Sequence, residues 1–128
     1  LREEMEFASA YIFLLKMRFE NNLQFDIQIA KSFEDYRLPP MAVQVLIENA
    51  VKQIEISDRK PLTIHIVTNN EGYLSVSNDI QPKRTAASGT GIGLVNLAKR
   101  YRLLFKQDIQ ITEDKEFSVC IPLIDEVQ

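Results

Sequence analysis

The chain opens on a helical rhythm. Met5, Ala8, Ile12, Leu15 and Phe19 recur at alternating steps of three and four, the apolar face of a helix over residues 1 to about 21. Phe7, Tyr11 and Leu14 widen that stripe, and Asn21-Asn22 end it. Leu23, Phe25, Ile27 and Ile29 then alternate with Gln24, Asp26 and Gln28, the period of a strand with one buried face. A polar loop leads to Pro39-Pro40, and proline suits the first turn of a helix because its missing N–H has no partner there. The helix that follows, about 40 to 56, buries Val43, Leu46, Ile47, Ala50 and Val51.

Two strands come next. Leu62, Ile64 and Ile66 alternate in one, and Leu74, Val76 and Asn78 share a face of the other. Asn69-Asn70-Glu71-Gly72 between them is turn chemistry, which predicts a hairpin. Residues 80–90 carry no apolar periodicity and read as a loop. A third helix starts near Gly93, with Leu94, Leu97, Tyr101 and Leu104 on one stripe. A second hairpin closes the chain: Ile109 and Ile111, a turn through Glu113-Asp114-Lys115, then Phe117, Val119, Ile121 and Leu123. Every strand alternates, so one sheet face is buried, and three amphipathic helices need that face to cover their stripes. The expectation is a two-layer α+β sandwich in a single domain, 1–128, with a mixed, mostly antiparallel five-stranded sheet and three helices on one face.

Composition narrows the picture. With 128 residues, 45% of them apolar, the chain can build one core and not two. A net charge of -3 argues against a broad basic surface for nucleic acid, although local basic residues can still meet phosphates. The one cysteine, Cys120, has no partner for an internal disulfide or a zinc cluster, which fits a reducing, cytosolic setting. No apolar run approaches the roughly 18 residues needed to span a bilayer. The first residues, Leu1-Arg2-Glu3-Glu4, begin in mid-pattern, as expected of a piece of a longer protein whose leading helix continues from an upstream region.

Two polar features stand out. On the second helix Gln44, Glu48 and Lys52 lie four apart on one edge, with Asn49 and Gln53 beside them. The bland reading is a solvated face with one Glu–Lys pair worth a few tenths of a kcal/mol. The functional reading is a carboxylate, an amide and an ammonium around a phosphate with Mg²⁺, an ion that prefers oxygen donors. The second feature is Ser88-Gly89-Thr90-Gly91-Ile92-Gly93-Leu94, three glycines spaced by two ahead of a helix. Such a loop lets backbone approach an anion, and free N–H groups at the helix start attract it. It is neither a dinucleotide fingerprint nor a Walker loop, since no strand runs into it and no Gly-Lys-Ser/Thr follows. Together the two features point to a nucleoside triphosphate.

Glu48-Asn49-Ala50-Val51-Lys52, preceded by Leu38-Pro39-Pro40-Met41 and Gln44, resembles the N box of histidine kinases, and more narrowly that of the LytS/YehU-like class. Gly89-Thr90-Gly91-Ile92-Gly93-Leu94-Val95-Asn96 is similar to that class's second glycine box. Arg100-Tyr101 and the stretch ending in Arg18-Phe19 also fit, so the resemblance covers nearly the whole chain in order. It implies the Bergerat ATP-binding sandwich, in agreement with the element order read above. It also implies ATP and Mg²⁺, with Asn49 on the metal, Lys52 on phosphate, and Glu48 orienting metal or the acceptor histidine. Gly89, Gly91, Gly93 and Leu94 would let the lid loop and the third helix hold the β- and γ-phosphates. Further implications are a phosphoacceptor and dimerisation region in the same protein, a homodimer, a response regulator downstream, and a cytoplasmic domain of a membrane-anchored sensor. No contact of this domain with nucleic acid or membrane is expected.

The chain departs from that pattern in three places. Where the family has Asp-x-Gly-x-Gly, this chain has Asn78-Asp79-Ile80-Gln81-Pro82, and strand alternation aligns Asn78 with the adenine-binding Asp. Gln53 stands where a His commonly ends the N box, and the lid is short, without an aromatic anchor. These departures support an alternative, a nucleotide-poor pseudokinase that serves as a docking module. A serine-phosphorylating relative is a third reading, opposed by the Pro-Pro and Arg-Tyr context. His65, the single histidine, sits mid-strand on the wet face and reads as a surface residue.

Overall fold

The computed structural model describes residues 1–53, 62–79, 92–113 and 116–125. Its helices are α1 (Arg2–Phe19), α2 (Ala42–Gln53) and α3 (Ile92–Phe105). Its strands are β1 (Leu23–Gln28), β2 (Leu62–Thr68), β3 (Tyr73–Asp79), β4 (Gln110–Glu113) and β5 (Glu116–Pro122). Two short 3-10 turns, Glu20–Asn22 and Lys31–Phe33, flank β1 and have too few residues to show a period.

The strands form one sheet in the order β1-β2-β3-β5-β4. β1 and β2 run parallel, Leu23 opposite Leu62, as strands joined by a helical crossover must; the other pairs are antiparallel. The Asn69–Gly72 turn sets the β2–β3 hairpin. Asn69 Oδ1 accepts the N–H groups of Glu71 and Tyr73 at 2.9 and 3.0 Å, and Gly72 takes the left-handed φ of 85° that favours glycine.

One sheet face carries Ile64, Ile66, Leu74, Val76, Phe117, Val119 and Ile121, all buried. The helices cover it with Ala8, Ile12 and Leu15, with Val43, Leu46, Ile47 and Ala50, and with Leu94, Leu97 and Tyr101. The Tyr101 hydroxyl, inside this core, donates to the Pro122 carbonyl at 2.8 Å. Burial pushes the Tyr101 phenol far above its ordinary pKa, so it stays a neutral donor. Three readings of the stripes are corrected. Phe7, Leu14 and Leu104 are 52%, 63% and 61% exposed, so they lie outside the core. Ile27 is also exposed, on the edge strand β1, although Phe25 and Ile29 on its face pack partly against the core.

The other sheet face is polar. Register aligns Asp26, His65, Ser77, Ser118 and Thr112 in one row across five strands. His65 Nδ1–H donates to Asp26 Oδ2 at 3.0 Å, and both side chains are about two-fifths exposed, the surface setting expected for His65. The hydrogen bond from His65, helped by one from Gln28, holds the Asp26 carboxyl below its ordinary pKa. A depressed carboxyl stabilises the fold above its unfolded value near pH 4 and loses that contribution as pH falls through the folded value. A carbon-detected NMR titration should therefore find the Asp26 midpoint below that of free aspartate. In His65→Ala it should move back up; an unchanged midpoint would contradict the pairing.

Candidate functional site

α2 carries the polar residues, and its neighbours decide where each one points. The helix contacts α1 on one flank, α3 on the other and β3 beneath. Val45, Asn49 and Lys52 follow at steps of four and three, one line along the helix. A Cβ placed on Gly93 would lie 3.5 Å from Val45 Cγ1, so this line faces the start of α3. One turn beyond Val45 is Asn49, only 8% exposed. Its Nδ2 is buried without a hydrogen-bond partner among the described residues. A buried amide in that state calls for a missing partner. Rotating the amide exchanges its oxygen and nitrogen, so the same spot can present an oxygen to a metal or an N–H to a phosphate. Lys52 lies outermost on the line and is exposed.

Glu48 turns the other way. Adjacent helical residues diverge by about 100°, so Glu48 and Asn49 leave α2 in different directions. Glu48 lies toward α1, where its charge adds to burial in raising the Tyr11 phenol above its ordinary pKa. The sequence had suggested that carboxylate, amide and ammonium converge. The structure instead brings Asn49 toward the α3 side and Glu48 toward α1.

Gly93 is exposed near the start of α3, whereas the Leu94 side chain is packed in the core at 1% exposure. Leu94 can therefore meet a ligand only through its backbone. The first N–H groups of a helix have no intrahelical partner and sit at the positive end of its dipole. Gly89 and Gly91 lie outside the described residues, as do residues 80–82, and nothing is described of the side chains of Gln53 and Asp79. Asn78 is fully buried on the helix-facing side of β3, on the face of Leu74 and Val76 as expected, and opposite Phe117 of β5. Asn49, Ser77 and Asn78 are the buried polar side chains among the described residues.

The Pro-Pro and Arg-Tyr pieces prove to be one latch. Arg100 Nη1 donates to the Pro40 carbonyl at 2.9 Å, and Glu4 Oε2 of α1 accepts the Met41 N–H at 3.2 Å. Met41 takes a left-handed φ of 68°, and its carbonyl accepts the Val45 N–H, starting α2. The entrance to α2 is thus gripped by α1 on one side and α3 on the other. Glu4 escaped the sequence reading because an acid in a first helical turn ordinarily faces water. Two surface hollows lie beside Arg102 and Ile109 and around Glu34 and Pro39, and neither of these two is lined by Asn49 or Asn78.

No protein-family model matches the chain. The sensor protein LytS of Streptococcus mutans is 33% identical over 129 residues, covering 89% of this chain and 22% of LytS. The sensor histidine kinase BtsS of Escherichia coli K12 is 32% identical over 125 residues, covering 88% of this chain and 20% of BtsS. Among solved structures, the nucleotide-free catalytic domain of the histidine kinase ThkA superimposes with a TM-score of 0.57 at 19% identity, covering 98% of this chain and 97% of that one. The chain is homologous to a segment of the LytS and BtsS sensor histidine kinases. Its fold is that of a histidine kinase catalytic domain, the mixed five-stranded sandwich expected. It spans about a fifth of the length of these relatives. No helix among the described residues is long and apolar enough to cross a membrane.

Proposed function

We propose that residues 1–128 are the ATP-binding catalytic domain of a sensor histidine kinase, which transfers the γ-phosphoryl group to a histidine outside these residues. The observation that carries this reading is Asn49, buried, unpartnered at Nδ2, and set on the α2 line that faces the start of α3. An amide so placed fits Mg²⁺ arriving with a nucleotide, because Mg²⁺ takes one or two protein groups and completes its octahedron with waters and phosphate oxygens. Among the described residues no cluster of three or more His, Cys, Asp or Glu could hold a metal without such help. The ion would neutralise charge on the phosphates.

The chain's own residues then bind and orient. Lys52 meets phosphate as a point charge, and the N–H groups of Gly93 and Leu94 receive phosphate oxygens, with Gly89 and Gly91 completing the loop. Asn78 accepts the adenine amino group without charge assistance. Glu48, turned toward α1, orients metal or the acceptor histidine. Phosphoryl transfer rests on such positioning and charge stabilisation, so no covalent residue is asked of this chain. In the longer protein the reading extends to an acceptor and dimerisation region upstream, a homodimer, a response regulator, and a cytoplasmic placement of this domain beside a membrane anchor elsewhere.

The glycine-free segment Asn78-Asp79-Ile80-Gln81-Pro82 favours a second reading, a docking module that no longer holds ATP usefully. Calorimetric titration with Mg²⁺ and a non-hydrolysable ATP analogue separates the two. Saturable binding is the expected result. No heat of binding up to several millimolar analogue would remove the kinase reading and leave the docking module.

A further inference from the structure

We propose that the base site of this domain accepts 6-oxopurine triphosphates, such as inosine triphosphate, about as well as ATP, and that Asn78 sets this tolerance. The inference rests on the nucleotide reading above and extends it to the base. Topology brings the polar pieces to one end of the sandwich. α2 rests on β3 and turns its Val45–Asn49–Lys52 line to the start of α3. Asn78 is the last residue but one of β3, and α3 is the next element of the chain. It lies on the sheet face that the helices cover, with no exposed surface at all. Asn49 and Asn78 are thus two buried amides on packed elements that bracket the start of α3. No charged side chain is buried among the described residues, so the polar groups available to read a base there are amides and not carboxylates.

The chemistry of the amide decides what it can read. Adenine presents an amino donor on its six-position, whereas a 6-oxopurine presents an acceptor there. An ionised carboxylate only accepts, so it pairs with the amino group and repels the oxo group. An amide carries an acceptor and two donors on one planar group, and turning it over exchanges them. Asn78 can therefore accept from the amino group of adenine in one orientation and donate to the oxo group in the other. Burial makes this difference large. A dry site fixed for one hydrogen-bonding pattern rejects the opposite pattern, because the mismatched groups are left unpaired away from water. An amide that turns over pairs with either base, so neither is rejected. The bond to adenine also lacks charge assistance and is weaker for it. Broad base acceptance and modest ATP affinity are then one property of one side chain.

Calorimetric titration of the 128-residue chain with Mg²⁺ and three triphosphates tests it: those of adenosine, inosine and unsubstituted purine riboside, with no acceptor domain present. Inosine replaces guanosine here because the 2-amino group of guanosine would add contacts of its own. ATP and inosine triphosphate should bind within about tenfold of each other, and each about fivefold or more tighter than the purine riboside triphosphate, which offers Asn78 nothing at the six-position. Asn78→Asp should widen the preference for ATP over inosine triphosphate to about a hundredfold or more. The parent series decides the matter even where the buried carboxylate of that variant unfolds the domain. Inosine triphosphate that binds no tighter than the purine riboside triphosphate, while ATP does, would overturn the inference and leave the kinase reading standing. A folded Asn78→Asp chain with the parent's ratio would overturn it as well. If none of the three binds, the nucleotide reading falls and this inference with it.

Discussion

Asn49→Ala is expected to lower phosphoryl transfer from ATP to a supplied acceptor domain by about a hundredfold to a thousandfold while the domain stays folded, the loss typical of removing one preorganised polar group at a reacting charge. Ordinarily a buried polar side chain cannot be removed without cost. Here the buried Nδ2 has no hydrogen bond to lose among the described residues, so truncation removes an unsatisfied group. Alanine is also the better helix former, by about 0.5 kcal/mol, which offsets part of the small void left behind. Stability should therefore change by no more than about 1 kcal/mol in either direction. The two readouts must separate: urea unfolding near the parent's, with transfer and analogue binding both lost. Transfer within a few-fold of the parent would end the role assigned to Asn49. Loss of transfer together with the fold would mean that the amide is structural.

The parts of the fold legible in the sequence were those where one period has one meaning. Alternation in β2, β3 and β5 names a single buried face, and Leu74, Val76 and Asn78 do share it. Asn69 and Gly72 announce their own turn through side-chain and backbone chemistry. Legibility failed where two periods overlap. α1 is apolar on two sides, so Ala8-Ile12-Leu15 and Phe7-Leu14-Met17 are equally good stripes, and only the assembled sheet decides which is inside. β4 shows the same limit. Ile111 alternates correctly, yet the strand is an exposed edge, because periodicity cannot say which strand of a hairpin is interior.

The candidate site was legible as composition more than as geometry. Glu-Asn-Ala-Val-Lys names the residue types proposed for the site, but adjacent residues on a helix look in different directions, and the flanks to which they turn belong to α1 and α3. The latch at Pro40, Arg100 and Glu4 is made of contacts that span 37 and 60 positions. No local pattern carries a contact of that kind.

The position of Gly93 yields a substitution in which stability and binding move in opposite directions. Glycine costs up to about 1 kcal/mol relative to alanine in a helix interior and less in the first turn, where Gly93 sits, and an acidic side chain there gains a further few tenths from the helix dipole. A Cβ at Gly93 would meet Val45 Cγ1 at 3.5 Å, an ordinary van der Waals contact, so packing does not forbid a side chain there. Gly93→Glu should therefore leave the apo domain as stable as the parent or raise its melting temperature by a few degrees. The same carboxylate lies at the N–H end of α3, where triphosphate is proposed to bind. Two like charges about 4 Å apart near a protein surface repel by up to roughly 4 kcal/mol, and after screening a tenfold to hundredfold loss of ATP-analogue affinity is the expected remainder. Gly93→Ala provides the comparison, with the same gain in helix stability and no added charge, and its affinity should remain within a few-fold of the parent. A Gly93→Glu variant that binds the analogue as tightly as Gly93→Ala would show that phosphate does not sit at the start of α3, whatever becomes of Asn49.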